Sequence, residues 1–125
     1  MKGEGKMIKI GCCGMAASEI DRALKKNFPA QIESFVLQDI VAAKAVKNGK
    51  LDYMIGSCLS GAGGALGMAI AVLGYENCVR VTTAGSMPTE KEIENSVTAG
   101  KKAFGINAEH ADYAVPIIAR TLLKM

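Results

Sequence analysis

The residues best suited to chemistry in this sequence are cysteines that stand beside glycines. Cys58 begins the run Cys-Leu-Ser-Gly-Ala-Gly-Gly, residues 58–64, and a second run, Gly-Cys-Cys-Gly, covers residues 11–14. Glycines let a backbone approach a ligand closely, and backbone amides that lead into a helix attract anions. Residues 58–64 therefore predict a loop that binds a phosphate, a carboxylate or an enediolate. The alternative is that these glycines serve only tight turning and close packing of a helix on a sheet.

Each cysteine has a functional and a packing interpretation. Cys58 precedes the glycine-rich loop and would face the ligand, where the N-terminus of the next helix favours a thiolate that acts as a base or nucleophile, but cysteine is equally a small buried hydrophobe. Because neighbouring residues in an extended segment point to opposite faces, at most one of Cys12 and Cys13 is expected to face a ligand. Cys78 falls inside an apolar run and is predicted to lie in the core.

The other candidate residues are hydroxyl-bearing side chains, glycines and one histidine. His110, the only histidine, falls near the predicted start of the last helix, where it is either a neutral general acid or base or an exposed histidine without function. No Gly-Lys-Ser or Gly-Lys-Thr follows the glycines, the dinucleotide fingerprint fails, and the cysteine spacing fits no zinc site, so no cofactor or metal is predicted. The predicted ligand contacts are Gly11, Cys12, Cys13, Gly14, Gly56, Ser57, Ser60, Gly61, Ala62, Gly63, Gly64, Thr82 and Thr83.

Short β-branched runs alternate with helical patterns along the chain. Strands are predicted at residues 7–11, 31–37, 51–58 and 77–82, with a fifth strand or a turn at 104–107. Helices are predicted at 16–28, 40–47, 65–73, 89–99 and 109–125, with Asp39 capping the second and a Thr89/Glu92 capping box on the fourth. This alternation predicts an α/β fold of three layers: a Rossmann-like, open, mainly parallel sheet of four to five strands with helices on both faces.

The candidate residues converge if this fold is correct. We predict a single domain over residues 7–125 after a disordered or tag-like N-terminus at residues 1–6. Open parallel sheets bind ligands at the carboxyl ends of their strands, where the strand order reverses. The predicted site is formed by residues 11–18, 56–64 and 82–85, which together are called the mouth below.

Composition narrows the partners. The net charge is only +3, from 15 Lys and Arg against 12 Asp and Glu, and the basic residues are dispersed, so no nucleic-acid partner is predicted. The longest apolar stretch, residues 65–73, is too short to span a bilayer, so no membrane partner is predicted either. The cysteine pattern predicts a reduced, cytoplasmic protein. The Ala- and Met-rich helix at 65–73 suggests packing against a second copy, hence a homo-oligomer.

Nearly the whole chain, residues 7–123, resembles a bacterial family of small proteins of unknown function, the YhfU-like family. The segments that carry the resemblance are Leu-Asp-Tyr-Met-Ile-Gly-Ser-Cys with Ser-Gly-Ala-Gly-Gly-Ala, and Phe-Gly-Ile-Asn-Ala-Glu-His-Ala-Asp-Tyr-Ala-Val-Pro, which ends at Pro116. This resemblance implies no established activity.

A shorter resemblance concerns the glycine-rich run alone. Cys-Leu-Ser-Gly-Ala-Gly, residues 58–63, is similar to the Cys-Gly-Thr-Gly-x-Gly segment of ribose-5-phosphate isomerase B and its galactose-6-phosphate isomerase relatives. The resemblance implies that Cys58 is the base that moves a proton between adjacent carbons, and that Ser60, Gly61 and Gly63 hold the enediolate. Cys12 and Cys13 stand where that family has an Asp-His pair.

A third resemblance concerns the first strand. Ile-Gly-Cys-Cys-Gly-Met-Ala-Ala-Ser, residues 10–18, is similar to the start of the IIB component of sugar phosphotransferase systems, with a spacing shorter by about one residue. It implies Cys12 or Cys13 as a phosphate carrier. The leading prediction is a protein that binds a small phosphorylated or carboxylated metabolite, with aldose–ketose type isomerisation as its reaction. The alternatives are a phosphocarrier and a non-catalytic ligand-binding or assembly subunit.

Overall fold

The computed structural model describes residues 7–59 and 63–125. Their strands form one five-stranded sheet in the order β2-β1-β3-β5-β4, in which every neighbouring pair is parallel. The predicted Rossmann-like α/β fold is confirmed, with the higher of the two expected strand counts. The strands are Ile8–Gly14 (β1), Ile32–Val36 (β2), Tyr53–Cys58 (β3), Cys78–Arg80 (β4) and Ala103–Asn107 (β5).

Helices cover both faces of this sheet. They are Ala17–Asn27 (α1), Asp39–Lys47 (α2), Gly64–Leu73 (α3), Glu90–Thr98 (α4) and Ala111–Lys124 (α5). The core on one face is built from α1, α4 and α5, and the core on the other face from α2 and α3. From β1 the chain passes through α1 to β2, toward one edge of the sheet, and from β3 it passes through α3 toward the other edge. Because these connections run in opposite directions, α1 and α3 cover opposite faces of the sheet.

The central strands are apolar because both of their faces are covered. All five residues of β5 are buried, and Phe104 is completely enclosed. β5 is the element that the sequence left open between a strand and a turn. It lies between β3 and the edge strand β4, so the last strand in the chain is an internal strand of the sheet.

Several element boundaries differ from the predictions. β1 continues to Gly14 instead of ending at residue 11, because β3 pairs with it as far as Gly14. β4 ends at Arg80, before the predicted residue 82. Gln38, not Asp39, is the N-cap of α2, and Asp39 is its first helical residue.

The ends of the last two helices complete the fold. A 3-10 turn, Ala108–His110, precedes α5, so that helix begins two residues later than predicted. The capping box on α4 is confirmed: the Thr89 hydroxyl oxygen accepts from the backbone N–H of Glu92, while the Thr89 N–H donates to the Glu92 carboxylate. Within the described ranges, no helix has both the length and the hydropathy needed to cross a membrane.

Candidate functional site

Cys58 is the last residue of β3 and lies partly exposed at the mouth. Its Sγ accepts a hydrogen bond of 2.9 Å from the backbone N–H of Gly63, the N-cap residue of α3. A sulfur atom that accepts from an amide at a helix start is in an environment that favours negative charge. This contact is the main chemical feature that the described residues provide at the mouth.

Asn107, which the sequence analysis did not single out, lies directly beside Cys58. It ends β5, pairs in register with Cys58, and is only 3% exposed. Its Nδ2 donates to the carbonyl of Leu59 and its Oδ1 accepts from the N–H of Glu109 at 2.8 Å. Asn107 therefore anchors the chain where it leaves β3. Predicting residues 104–107 as a strand would have placed this side chain at the mouth.

Thr82 and Thr83, both predicted ligand contacts, follow the short β4. The Thr82 hydroxyl oxygen accepts from the N–H of Asn107 at 2.8 Å, and Thr82 is 1% exposed. Thr83 is half-buried and forms an isolated antiparallel bridge with Ser86. Both threonines line a cavity of about 220 Å³ beside α4. Thr82 thus joins the end of β4 to β5, and only Thr83 retains exposed surface.

Ser57 and Gly14 hold the ends of β3 and β1 together. The Ser57 hydroxyl accepts from the N–H of Ala16 at 2.8 Å and donates to the carbonyl of Cys13 at 2.9 Å. Gly14 has φ +87°, and a Cβ placed there would lie 1.9 Å from the Ser57 carbonyl oxygen. These two residues were predicted to bind ligand, and in the structure their groups form a structural clamp between neighbouring strands.

Cys12 and Cys13 lie on opposite faces of β1, as their adjacency predicted, but neither faces solvent. Both are 0% exposed, Cys12 in the α1 face core and Cys13 in the α2 face core. Burial, with a smaller effect of Asp21, raises the pKa of Cys12 to about 12. Burial, with a smaller effect of Asp39, raises the pKa of Cys13 to about 12 as well. Neutral, enclosed thiols do not attack phosphate, which argues against the phosphocarrier interpretation.

Gly11 and Gly56 are packing positions rather than exposed backbone. A Cβ on Gly56 would lie 2.5 Å from the Cβ of Ala65, so Gly56 allows α3 to approach β3 closely. A Cβ on Gly11 would lie 2.9 Å from Leu51, under α2. At these two positions, close helix packing explains the glycine.

Of the remaining predicted ligand contacts, some lie within the residues that the structure describes and some lie outside them. Gly63 and Gly64 cap and begin α3. Ser60, Gly61 and Ala62 lie outside the described residues. Cys78, predicted as core, is 7% exposed, which confirms the prediction. No cluster of three or more His, Cys, Asp or Glu side chains within residues 7–59 and 63–125 is placed to hold a metal ion.

His110 lies at the carboxyl end of β5 and is the N-cap residue of α5. The interpretation of His110 as an exposed surface histidine is wrong, since the residue is only 8% exposed. Its Nδ1 is buried and has no hydrogen-bond partner among residues 7–59 and 63–125. A buried nitrogen that lacks a partner costs free energy, so His110 is a polar group at this edge whose hydrogen bonding is incomplete.

The sheet order and the helix layers define an open parallel α/β protein of a kind seen in solved enzymes. The chain matches ribose-5-phosphate isomerase B from Clostridium thermocellum with a TM-score of 0.63 and 21% identity, covering 94% of this chain and 84% of that one. It matches the Thermotoga maritima enzyme with a TM-score of 0.55 and 16% identity, covering 96% and 88% of the two chains. At these identities the likeness establishes a shared fold.

Sequence similarity defines the family. Residues 8–122 match the family described as protein of unknown function DUF2620, and the chain belongs to that family. It is 38% identical over 116 residues to the uncharacterized protein YhfU of Escherichia coli, which covers 93% of this chain and 99% of the relative. The protein of the same description from Shigella flexneri matches equally. The predicted membership in a YhfU-like bacterial family is confirmed.

Proposed function

We propose that this protein binds a small anionic metabolite at the mouth and catalyses an aldose–ketose type isomerisation, with Cys58 as the base. The observation that carries the proposal is the Cys58 sulfur that accepts from the Gly63 amide at the start of α3. The fold shared with two ribose-5-phosphate isomerases B supports it, because the glycine-rich run follows β3 in a sheet of the same kind.

The proposed reaction is a proton transfer between adjacent carbons. The Cys58 thiolate removes the proton from the carbon next to the carbonyl, and the electron pair moves onto the carbonyl oxygen to give an enediolate. Backbone amides at the start of α3 stabilise that oxygen, since first-turn amides have no partner inside the helix. The hydroxyl proton of the neighbouring carbon passes to the former carbonyl oxygen, and Cys58 delivers a proton, the original one or one exchanged with solvent, to the former carbonyl carbon, which completes the exchange of aldose and ketose without a co-reactant.

Exchange of substrate protons with solvent tests the base directly. Aldoses and ketoses that carry a phosphate or a carboxylate are incubated with the protein in D₂O, and the loss of the carbon-bound proton signal is followed by NMR. We expect Cys58→Ala to lower the exchange rate by about 100-fold or more, the size of a lost general base. Cys78→Ala is the matched control and retains the rate, because Cys78 lies in the core away from the mouth. Equal rates for wild type and Cys58→Ala would eliminate Cys58 as the base.

We also propose a cytoplasmic homo-oligomer in which α3 contacts a second copy. Gly67, Met68 and Ala71 form an exposed, uncharged strip on that helix. Light scattering on wild type and Met68→Lys tests the contact, with Lys44→Glu on α2 as an exposed control. We expect the oligomer to dissociate in Met68→Lys and to persist in wild type and Lys44→Glu. The same molecular mass in all three proteins would mean that α3 is not the interface.

A further inference from the structure

Basic side chains are missing from the segments that surround the mouth. Residues 14–20, 37–42, 58–67 and 107–114 carry the chain from β1, β2, β3 and β5 into the helices that follow, and they contain no Lys or Arg. Proteins that bind phosphate groups usually pair them with Arg or Lys. The same four segments contain four carboxylates, Glu19, Asp39, Glu109 and Asp112.

Several basic side chains of the chain, and two of these four carboxylates, line other surfaces. Arg22 and Lys26 lie farther along α1, in a groove that they share with Glu19 and Asp112. Arg80 ends β4, the edge strand, where it lines a groove beside α3, and Arg120 pairs with Glu90 on α4. β4 stands two strands away from β3, about 10 Å at normal strand spacing. Lys91 is exposed on α4, which follows that edge strand.

One of the four carboxylates lies at the helix start that would hold an anion. A Cβ on Gly64, the first residue of α3, would be 3.8 Å from Asp39 Oδ2. The Asp39 charge therefore already offsets the positive end of α3, and it repels a second anion placed there. A phosphate monoester carries close to two negative charges at neutral pH and a carboxylate carries one, so the repulsion is about twice as large for the phosphate.

His110 adds a preference for hydroxyl groups. Its Nδ1 is buried at the same edge of the sheet, and no residue in the described part of the chain is its hydrogen-bond partner. A ligand hydroxyl can donate to this nitrogen or accept from it, so it satisfies His110 in either tautomer, whereas an anion does so only when this nitrogen carries the proton.

We propose that the ligand of the mouth is a sugar acid, an aldose or ketose whose only charge is a carboxylate, and that phosphate esters are discriminated against by Asp39. This inference rests on the proposed function, because it names the substrate class of the same site. The carboxylate or the developing enediolate is held by backbone amides at the start of α3, and Asp39 limits the total negative charge that the site accepts.

Two pairs of ligands with matched carbon skeletons test the inference. Galacturonate is compared with galactose 6-phosphate, and glucuronate with glucose 6-phosphate, by calorimetric titration at low ionic strength, where charge effects are largest. We expect at least one uronate to bind about 10-fold or more tightly than its phosphate counterpart. In Asp39→Asn, phosphate-ester binding is expected to tighten by about fivefold or more, with a smaller gain for the uronate. Glu94→Gln on α4 removes a carboxylate near the C-terminus of α5 and is expected to change neither affinity.

The outcomes separate this inference from the proposed function. Phosphate esters that bind wild type as tightly as uronates would overturn the inference and leave the isomerase proposal standing. Uronate preference that persists in Asp39→Asn, with no gain for the phosphate ester, would overturn Asp39 as its cause. If no ligand of either pair binds and none exchanges a proton in D₂O, both proposals fail. Circular dichroism establishes that each variant is folded before the titrations are interpreted.

Discussion

Two strand ends in this protein carry cysteine beside glycine, and the fold uses them in opposite ways. At the end of β1, Cys12 and Cys13 are fully enclosed and remain neutral thiols. At the end of β3, Cys58 is partly exposed and accepts from the Gly63 amide. Both strands are flanked on two sides, but β1 continues to Gly14 beyond its cysteines and is clamped there by Ser57, whereas Cys58 is the last residue of its strand. Cysteine is a possible nucleophile at all three positions, but its place relative to the end of its strand decides whether a ligand can reach it.

The clamp at the β1 end is most sharply tested at Gly14. Gly14→Ala is expected to lower the free energy of unfolding by more than about 3 kcal/mol, because the new Cβ would collide with the Ser57 carbonyl at a positive φ. Gly49→Ala is the matched control: Gly49 also has a positive φ, of +81°, but nothing lies within 4 Å of its Cβ position. We expect Gly49→Ala to lower the free energy of unfolding by about 1 kcal/mol. Equal losses in urea denaturation would mean that backbone strain alone, without the clamp, accounts for Gly14.

The contrast in accessibility predicts selective alkylation. In the folded protein, iodoacetamide is expected to modify Cys58 about 100-fold or more faster than Cys12 or Cys13, because enclosed thiols react only after local unfolding. Mass spectrometry of peptides after timed quenching measures the rates, and the reaction in denaturant supplies the control in which the three sites become similar. Comparable rates in the folded state would remove the distinction between the two strand ends.

Removal of the Ser57 hydroxyl is a milder change to the same clamp. Ser57→Ala leaves the Ala16 N–H without its acceptor and the Cys13 carbonyl without its donor, so we expect a loss of about 2 kcal/mol in the free energy of unfolding. Ser96→Ala on α4 is the control, since that hydroxyl makes only an exposed bond to Glu92. A Ser57 variant as stable as the Ser96 variant would show that other contacts hold β1 to β3.

Alkaline pH gives the smallest of the expected effects. The thiol pKa values of Cys12 and Cys13 are raised from 9.0 to about 12 in the folded protein, so the unfolded chain releases these protons first. Their contribution to stability is complete below about pH 9 and is lost as the pH rises toward 12. At about pH 10 each of these two thiols is expected to lower the free energy of unfolding by about 1 kcal/mol relative to neutral pH. Urea denaturation of wild type and Cys12→Ala at several pH values should show a shallower decline for the variant, and parallel declines would contradict the raised pKa.

The sequence predicted the layers, the parallel sheet and most of the helices because hydrophobic period and glycine punctuation are local signals. It did not predict that Gly14 must be glycine to fit against the Ser57 carbonyl, since that contact depends on which strands become neighbours. It left β5 open because five residues without alternation look alike as a buried strand or a turn, and Asn107 was overlooked with it. Asp39 was given no function because its position beside α3 follows from the packing of α2 against α3, which no local signal in the sequence specifies.

The internal position of β5 has a consequence for how the protein is made. Among the described strands, β4 pairs with β5 alone, and β5 also supplies Asn107, the residue that pairs with Cys58. A chain emerging from the ribosome can pair β1 with β2 and β3 early, but β4 has no partner strand until residues 103–107 have been synthesised. The proposed catalytic end of the sheet is therefore completed late during translation, after β1, which carries Cys12 and Cys13, can already have paired with β2 and β3.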